Sequence, residues 1–296
     1  MWTEMQLGGE EFFYRVADGT YLSGRDYGIS EGGQRPVICL PGLTRNVRDF
    51  DALARFLSET AEPRRRVVSF DYRGRGQSGH ADPSTYTPQV EAGDVLAGMT
   101  ARGIEEADFI GTSRGGLICM ALGAMRPGVL RKIILNDIGP VIHVNYLAGI
   151  KEYVSGKATP ASWEQAEQGL KTSLGSTFTS LTASDRSRLA RQLYDERDGR
   201  PALAFDTGLA AGLDVITDAS PPVSIWPYFA TLSHSPILVL RGMNSSLLDQ
   251  ETVHEMARRH KHLEVYLVPN EGHAPLLWDA TTQNRVLRFL RTISPE

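Results

Sequence analysis

An α/β chain with a mostly parallel central sheet flanked by helices is what this sequence predicts, on three observations. Short apolar, β-branched runs alternate with stretches of helical periodicity, the pattern of βαβ units. The strand-like runs stop near residue 140 and return after residue 232, so one sheet spans an interruption. A glycine-rich turn, Gly111-Thr112-Ser113-Arg114-Gly115-Gly116, lies where an apolar strand gives way to a helical pattern.

Residues 11–27 open the chain, and the turn around Asp18-Gly19 predicts an antiparallel hairpin. Pro36-Val37-Ile38-Cys39-Leu40 is a continuous apolar strand that stops at Pro41-Gly42. Behind it, Phe50, Leu53, Phe56 and Leu57 share one helical face. Val67 to Phe70 is the next strand, ending at Asp71, and the basic run Arg64-Arg65-Arg66 before it reads as a solvated loop. Residues 88–102 read as a helix, and Asp108-Phe109-Ile110 as a short strand leading into the glycine-rich turn. A helix over 114–126 is halted by Pro127-Gly128. Ile133-Ile134-Leu135 is a further buried strand, ending at Asn136-Asp137.

From about 140 to 232 only helical patterns are visible, with no convincing strand. Trp163, Ala166, Leu170 and Leu174 fall at helical spacing, and Thr182 with Asp185 marks a helix start before Leu189 and Leu193. Strands return at Ile237–Leu240 and Val265–Val268. A final amphipathic helix carries Val286, Leu287, Leu290 and Ile293. An insertion of roughly 90 residues inside one sheet is too long for a plain loop. The expected organisation is therefore a core over 1–139 and 233–296, interrupted by a helical lid over 140–232.

Apolar residues make up 41% of the 296 and charged residues 22%, enough for a substantial globular core. A net charge of −4 offers nothing to nucleic acid or an anionic membrane. No apolar run is long enough to span a bilayer, and the start Met1-Trp2-Thr3-Glu4 lacks a basic, then apolar leader. Cys39 and Cys119 read as small core residues rather than a disulfide or metal pair. The expected setting is the cytoplasm, with a small-molecule substrate as the partner.

A serine hydroxyl is a poor nucleophile at neutral pH and needs a base and oxyanion donors. A strand, then Gly-x-Ser-x-Gly, then a helix supplies a tight turn that lifts Ser113 above the sheet. The base is expected on a loop after the last strand, where Glu271-Gly272-His273-Ala274-Pro275 stands. The other histidines, at 80, 143, 234, 254, 260 and 262, read mostly as surface or helix positions. His143, at the entry to the lid, is a candidate for facing the substrate.

Pro41-Gly42-Leu43-Thr44, Asp71-Tyr72-Arg73-Gly74-Arg75-Gly76-Gln77-Ser78, the turn at 111–116, Asn136-Asp137-Ile138-Gly139-Pro140 and Gly272-His273-Ala274-Pro275 occur in that order. Together they resemble the lidded α/β-hydrolase superfamily over residues 11–140 and 233–293. The resemblance implies the α/β-hydrolase fold, Ser113 as nucleophile and His273 as base. It implies an oxyanion hole made by the backbone N–H groups of Arg114 and Leu43, and structural roles for Asp71 and Arg73. The Arg114 side chain reads as a hydrogen-bonding group at the helix start rather than a partner for an anionic substrate.

Relatives of this kind carry Ser-Asp after the penultimate core strand, and that aspartate orients the histidine. Here Ser246 stands where the acid is expected, in Arg241-Gly242-Met243-Asn244-Ser245-Ser246-Leu247-Leu248-Asp249. Asp137 is the preferred substitute, since some members place the acid at the end of the strand after the nucleophile's. Asp249, three residues late in the usual loop, and no carboxylate at all are the alternatives. The implied function is hydrolysis of a small or medium acyl substrate, most simply a carboxylic ester, with no metal or organic cofactor. A receptor with a weakened triad, or an acyltransferase, is the alternative. A serine nucleophile disfavours haloalkane dehalogenase and epoxide hydrolase chemistry. Trp163, Tyr146, Trp226 and Phe229 fit an apolar pocket or core packing equally well.

Overall fold

Val37–Leu40 (β3) exposes no surface at all, so both faces of this strand lie under protein, as in the middle of a parallel sheet. Side chains alternate across the pleat: Ile38 and Leu40 enter one apolar layer, Val37 and Cys39 the other. A computed structural model gives the molecule's structure and describes residues 6–143, 150–151, 153–156, 159–213 and 221–292.

The main sheet takes, in chain order, β1 (Glu10–Arg15), β2 (Tyr21–Tyr27), β3, β4 (Val67–Phe70), β5 (Ala107–Thr112), β6 (Leu130–Asn136), β11 (Ile237–Gly242) and β12 (Leu263–Val268). Their spatial order is β1-β2-β4-β3-β5-β6-β11-β12. The first two strands form the expected antiparallel hairpin, β2 runs antiparallel to β4, and every later pairing is parallel. One register fact positions the site. Thr112 pairs with Asn136 and Asn136 with Leu240, so the C-terminal ends of β5, β6 and β11 stand side by side.

One face of the sheet is covered by α1 (Asp51–Arg55) and the C-terminal α8 (Ala280–Arg291). The other is covered by α2 (Pro88–Ala101), α3 (Arg114–Met125), α6 (Trp226–Ala230) and α7 (Gln250–Arg259). The expected helix through Phe50 and Leu57 keeps its buried face but is not regular. It begins as a 3-10 turn over Val47–Phe50 and ends as a π turn over Phe56–Thr60. Cys39 and Cys119 are free and buried, and burial pushes both thiols up.

The basic run at 64–66 is not a solvated loop. Arg65 is buried against Asp108 at 2.6 Å, and Arg66 pairs with Asp26; only Arg64 is exposed. A sequence window cannot reveal this, because Asp108 arrives from a strand 43 residues away.

Between β6 and β11 lie α4 (Trp163–Leu174) and α5 (Ala183–Leu193), as the spacing predicts, with the Thr182–Asp185 capping box formed. This segment also contains strands that the periodicity did not show. β7 (Val141–Ile142) pairs with β10 (Val223–Ser224), and β8 (Tyr194–Arg197) pairs with β9 (Arg200–Leu203). The second pair is a hairpin closed by Asp198-Gly199, both at positive φ, which is the turn an Asp-Gly pair favours. Its strands are polar and half exposed, so they lack an apolar alternation. Helices α4 and α5 pack on each other and on Leu276 and Trp278, beyond His273. Tyr146 and Ile293 lie outside the described residues. Among the described residues no helix is long and apolar enough to cross a membrane.

Candidate active site

Ser113 follows β5 directly and opens α3 with φ 50° and ψ −111°, a conformation side chains rarely adopt. Two glycines make the turn possible. A Cβ at Gly111 would come within 2.6 Å of the Gly115 backbone, and one at Gly115 within 2.1 Å of the Leu40 carbonyl. The strand, turn and helix are therefore in contact where any side chain would push them apart. The Ser113 N–H donates to the Asn136 carbonyl, which holds the turn against the end of β6.

His273, on the loop between β12 and α8, places Nε2 2.9 Å from Ser113 Oγ. Its Nδ1 lies 2.8 Å from Asp137 Oδ2. Asp137, also at positive φ, is the first residue after β6 and is fully buried. Its carboxylate has partners besides the imidazole: Oδ1 accepts from the Gly242 N–H at 2.9 Å and Oδ2 from Ser245 Oγ at 2.5 Å. Its own N–H donates to the Leu240 carbonyl. Fixed donors of this kind hold the carboxylate in one orientation against the imidazole. Asn136 ties the parts together, with Nδ2 donating to Thr112 Oγ1 and to the Pro275 carbonyl.

The other acid candidate goes elsewhere. Asp249 caps α7, accepting from the Thr252 N–H at 2.6 Å, and its second oxygen meets His143 Nε2 at 2.7 Å. Ser246, where the family resemblance puts the acid, lines the cavity above the site, and so does His143. Ser245 was not singled out by the sequence. Only the adjacency of β6 and β11 brings its hydroxyl onto Asp137. Burial pushes Glu271, two residues before His273, up to about 7, and its carboxylate accepts the Leu276 N–H across the histidine loop.

Asp71 and Arg73 act within the fold. The Asp71 carboxylate, which burial raises to about 6, accepts from Val47, Gln77 and Ser23. Arg73 forks onto Asp94 at 2.7 and 2.8 Å. The Arg114 side chain leaves the cavity and bonds Glu91 and the Tyr86 carbonyl, so it is a structural group with partners other than its own helix start. The amides of Leu43 and Arg114 donate to no acceptor among the described residues.

Above Ser113 lies a cavity of about 1000 Å³. Its walls include Leu170, Leu174, Phe178, Leu189, Leu193 and Trp278. Trp163, Trp226 and Phe229 are absent from the lining. Trp163 stacks under Arg191, and Trp226 packs between Arg259 and Phe229, so core packing accounts for them. Polar groups in the wall include Arg45, held by Asp49 through two hydrogen bonds of 2.7 and 2.6 Å, with Gln192 and Tyr194. Among the described residues no group of three His, Cys, Asp or Glu side chains is arranged to hold a metal ion.

A family model described as alpha/beta hydrolase fold matches residues 35–280. The chain is 32% identical over 255 residues to a 3-hydroxybutyrate-oligomer hydrolase of Cupriavidus necator, which covers 83% of this chain and 84% of that protein. Over 245 residues it is 29% identical to an sn-1-specific diacylglycerol lipase of Mus musculus, covering 80% and 74% respectively. An alpha/beta hydrolase from Novosphingobium aromaticivorans superposes with a TM-score of 0.87 at 34% identity, over 97% of this chain and 100% of that one. Because these likenesses run through both parts of the sheet and the segment inserted between them, the chain belongs to the α/β hydrolase fold family and is an esterase-like hydrolase.

Proposed function

We propose that this enzyme is a serine esterase that works through an acyl-enzyme on Ser113, with His273 as base and Asp137 as the acid of the triad. The observation that carries the reading is the unbroken line from the buried Asp137 carboxylate through the imidazole to Ser113 Oγ. Ser113 Oγ attacks the ester carbonyl while His273 Nε2 takes its proton. Asp137 holds the ring with Nδ1 protonated and stabilises the imidazolium. The oxyanion is received by the Leu43 and Arg114 amides. The imidazolium then protonates the leaving alcohol, and water, activated by the same ring, releases the acid.

The segment over 140–232 is proposed as a lid, since α4 and α5 supply much of the cavity wall. A cavity of about 1000 Å³ with a largely apolar wall suits a medium acyl ester. The Cupriavidus necator relative makes short 3-hydroxybutyrate oligoesters the first natural compounds to try. The receptor alternative rested on Ser246, and a carboxylate on the imidazole from another strand weakens that ground.

The test is labelling of the purified protein and of Ser113→Ala with a fluorophosphonate probe, followed by turnover of p-nitrophenyl esters and 3-hydroxybutyrate oligomers. Fast labelling lost in Ser113→Ala, with ester turnover, is the expected result. A folded protein that neither labels nor turns over any ester would put the receptor reading in front. Turnover that rises with an added alcohol and yields a new ester would mark an acyltransferase.

A further inference from the structure

The two backbone donors assigned to the oxyanion hole sit on different loops, and a buried charged chain joins them from behind. Arg75, on the loop after β4, donates Nε to the Leu43 carbonyl at 2.8 Å and NH1 to the Arg73 carbonyl at 2.6 Å. The same NH1 lies 2.9 Å from Glu91 Oε1, an ion pair between two buried groups. The other oxygen of Glu91 accepts from Arg114 Nε at 2.7 Å. Arg75 and Glu91 are each at most 1% exposed, and none of the three residues lines the cavity.

The chain reaches the donors through geometry the peptide bond imposes. The Leu43 N–H shares a plane with the Gly42 carbonyl and points opposite to it. That carbonyl accepts from the Arg45 N–H, the Pro41 carbonyl before it from the Tyr72 hydroxyl, and the Leu43 carbonyl after it from Arg75. The peptide carrying the Leu43 donor is thus clamped on both sides, and Arg75 supplies one side. On the other loop, the Arg114 side chain ties the first residue of α3 to Glu91 on α2 and to the Tyr86 carbonyl.

We infer that Arg75, Glu91 and Arg114 form a positioning bridge that sets the spacing of the two oxyanion donors, so transition-state binding depends on side chains that touch no substrate. The inference rests on the assignment of the Leu43 and Arg114 amides made above. A donor displaced from the oxyanion loses much of its effect, because its value lies in being in place before charge develops.

The test uses Arg75→Met and Arg114→Met in the full chain, each of which leaves Glu91 one guanidinium. Turnover of an acyl ester should fall about 10- to 100-fold with KM within about two-fold. Affinity for a trifluoromethyl ketone analogue of the tetrahedral intermediate should fall by the same factor. Backbone deuterium exchange should rise over 41–46 in Arg75→Met and over 112–117 in Arg114→Met. Arg75→Lys keeps the charge beside Glu91 but loses the fork that reaches Leu43, so it should not restore turnover. It also carries the test if Arg75→Met fails to fold. Folded Arg75 variants with wild-type turnover and unchanged exchange over 41–46 would overturn the bridge, as would lost turnover with unchanged analogue affinity. Absence of ester turnover in the wild type would instead overturn the esterase reading. The exchange measurement needs no activity and tests the bridge even then.

Discussion

The loops after β6 and β11 leave neighbouring parallel strands at the same end of the sheet, yet they do different work. The first delivers Asp137 to His273, whereas the second, where the family resemblance puts the acid, carries Ser245 and Ser246. The second loop has become the support of the first: the Gly242 N–H and the Ser245 hydroxyl both donate to the Asp137 carboxylate. What the difference teaches is that two neighbouring loops can serve one point beside the imidazole, one bringing the carboxylate and the other its hydrogen-bond donors. Leu240 pairs with Asn136, so the residues that follow them start from adjacent positions.

Removing the charge from the first loop should break the comparison most severely. Asp137→Asn is expected to lower turnover on the order of 10³- to 10⁴-fold, because the amide cannot stabilise the imidazolium. Steady-state ester hydrolysis by the folded variant measures this, and near-wild-type turnover would take Asp137 out of the triad.

Moving the acid across sharpens the comparison. In the Asp137→Asn background, Ser246→Asp should recover at least about tenfold of the lost turnover if the strand ends are interchangeable. In the parent the same change should give no gain, since one carboxylate already occupies Nδ1. A sharp gain in the parent would mean that Asp137 is not a working acid.

Asp249 should matter least to turnover. Asp249→Ala is expected to leave kcat within about threefold while lowering stability by about 1 kcal/mol through loss of the α7 cap. Burial opposes ionisation of Asp249, but the Thr252 N–H and His143 outweigh it and hold its carboxyl below the ordinary value. A lowered folded-state pKa means the contribution is complete above the ordinary carboxylate value of about 4 and is lost as pH falls through the lower one. Urea unfolding of wild type and variant should therefore converge towards acid pH. A gap that persists or widens there would show that the charge is not the source of the cap's stability.

The contrast between the sheet and the inserted segment shows why some elements were legible and others not. Parallel strands such as Val37–Leu40 and the first four residues of Ile237–Gly242 are buried on both faces, so they read as unbroken apolar runs. Strands Tyr194–Arg197 and Arg200–Leu203 cover little, so their sequence shows no period, and the Asp198-Gly199 turn between them is too slight a local signal to reveal the hairpin. The Arg64–Arg66 run was misread for a related reason, since its charge is balanced by residues distant in the chain.

By itself the sequence determined the sheet's character, the serine turn, the histidine loop and a short set of candidate acids. These depend on residue spacing and local sterics: glycines where strand, turn and helix touch, and proline and glycine where helices stop. Only the tertiary structure set Asp137 against His273 and Asp249 against His143, put Ser245 on the Asp137 carboxylate, kept Trp226 out of the cavity and joined Arg75 to Arg114 through Glu91. Each of those facts is a distance between residues far apart in the chain. Such distances come from sheet register and helix packing, which no local pattern encodes.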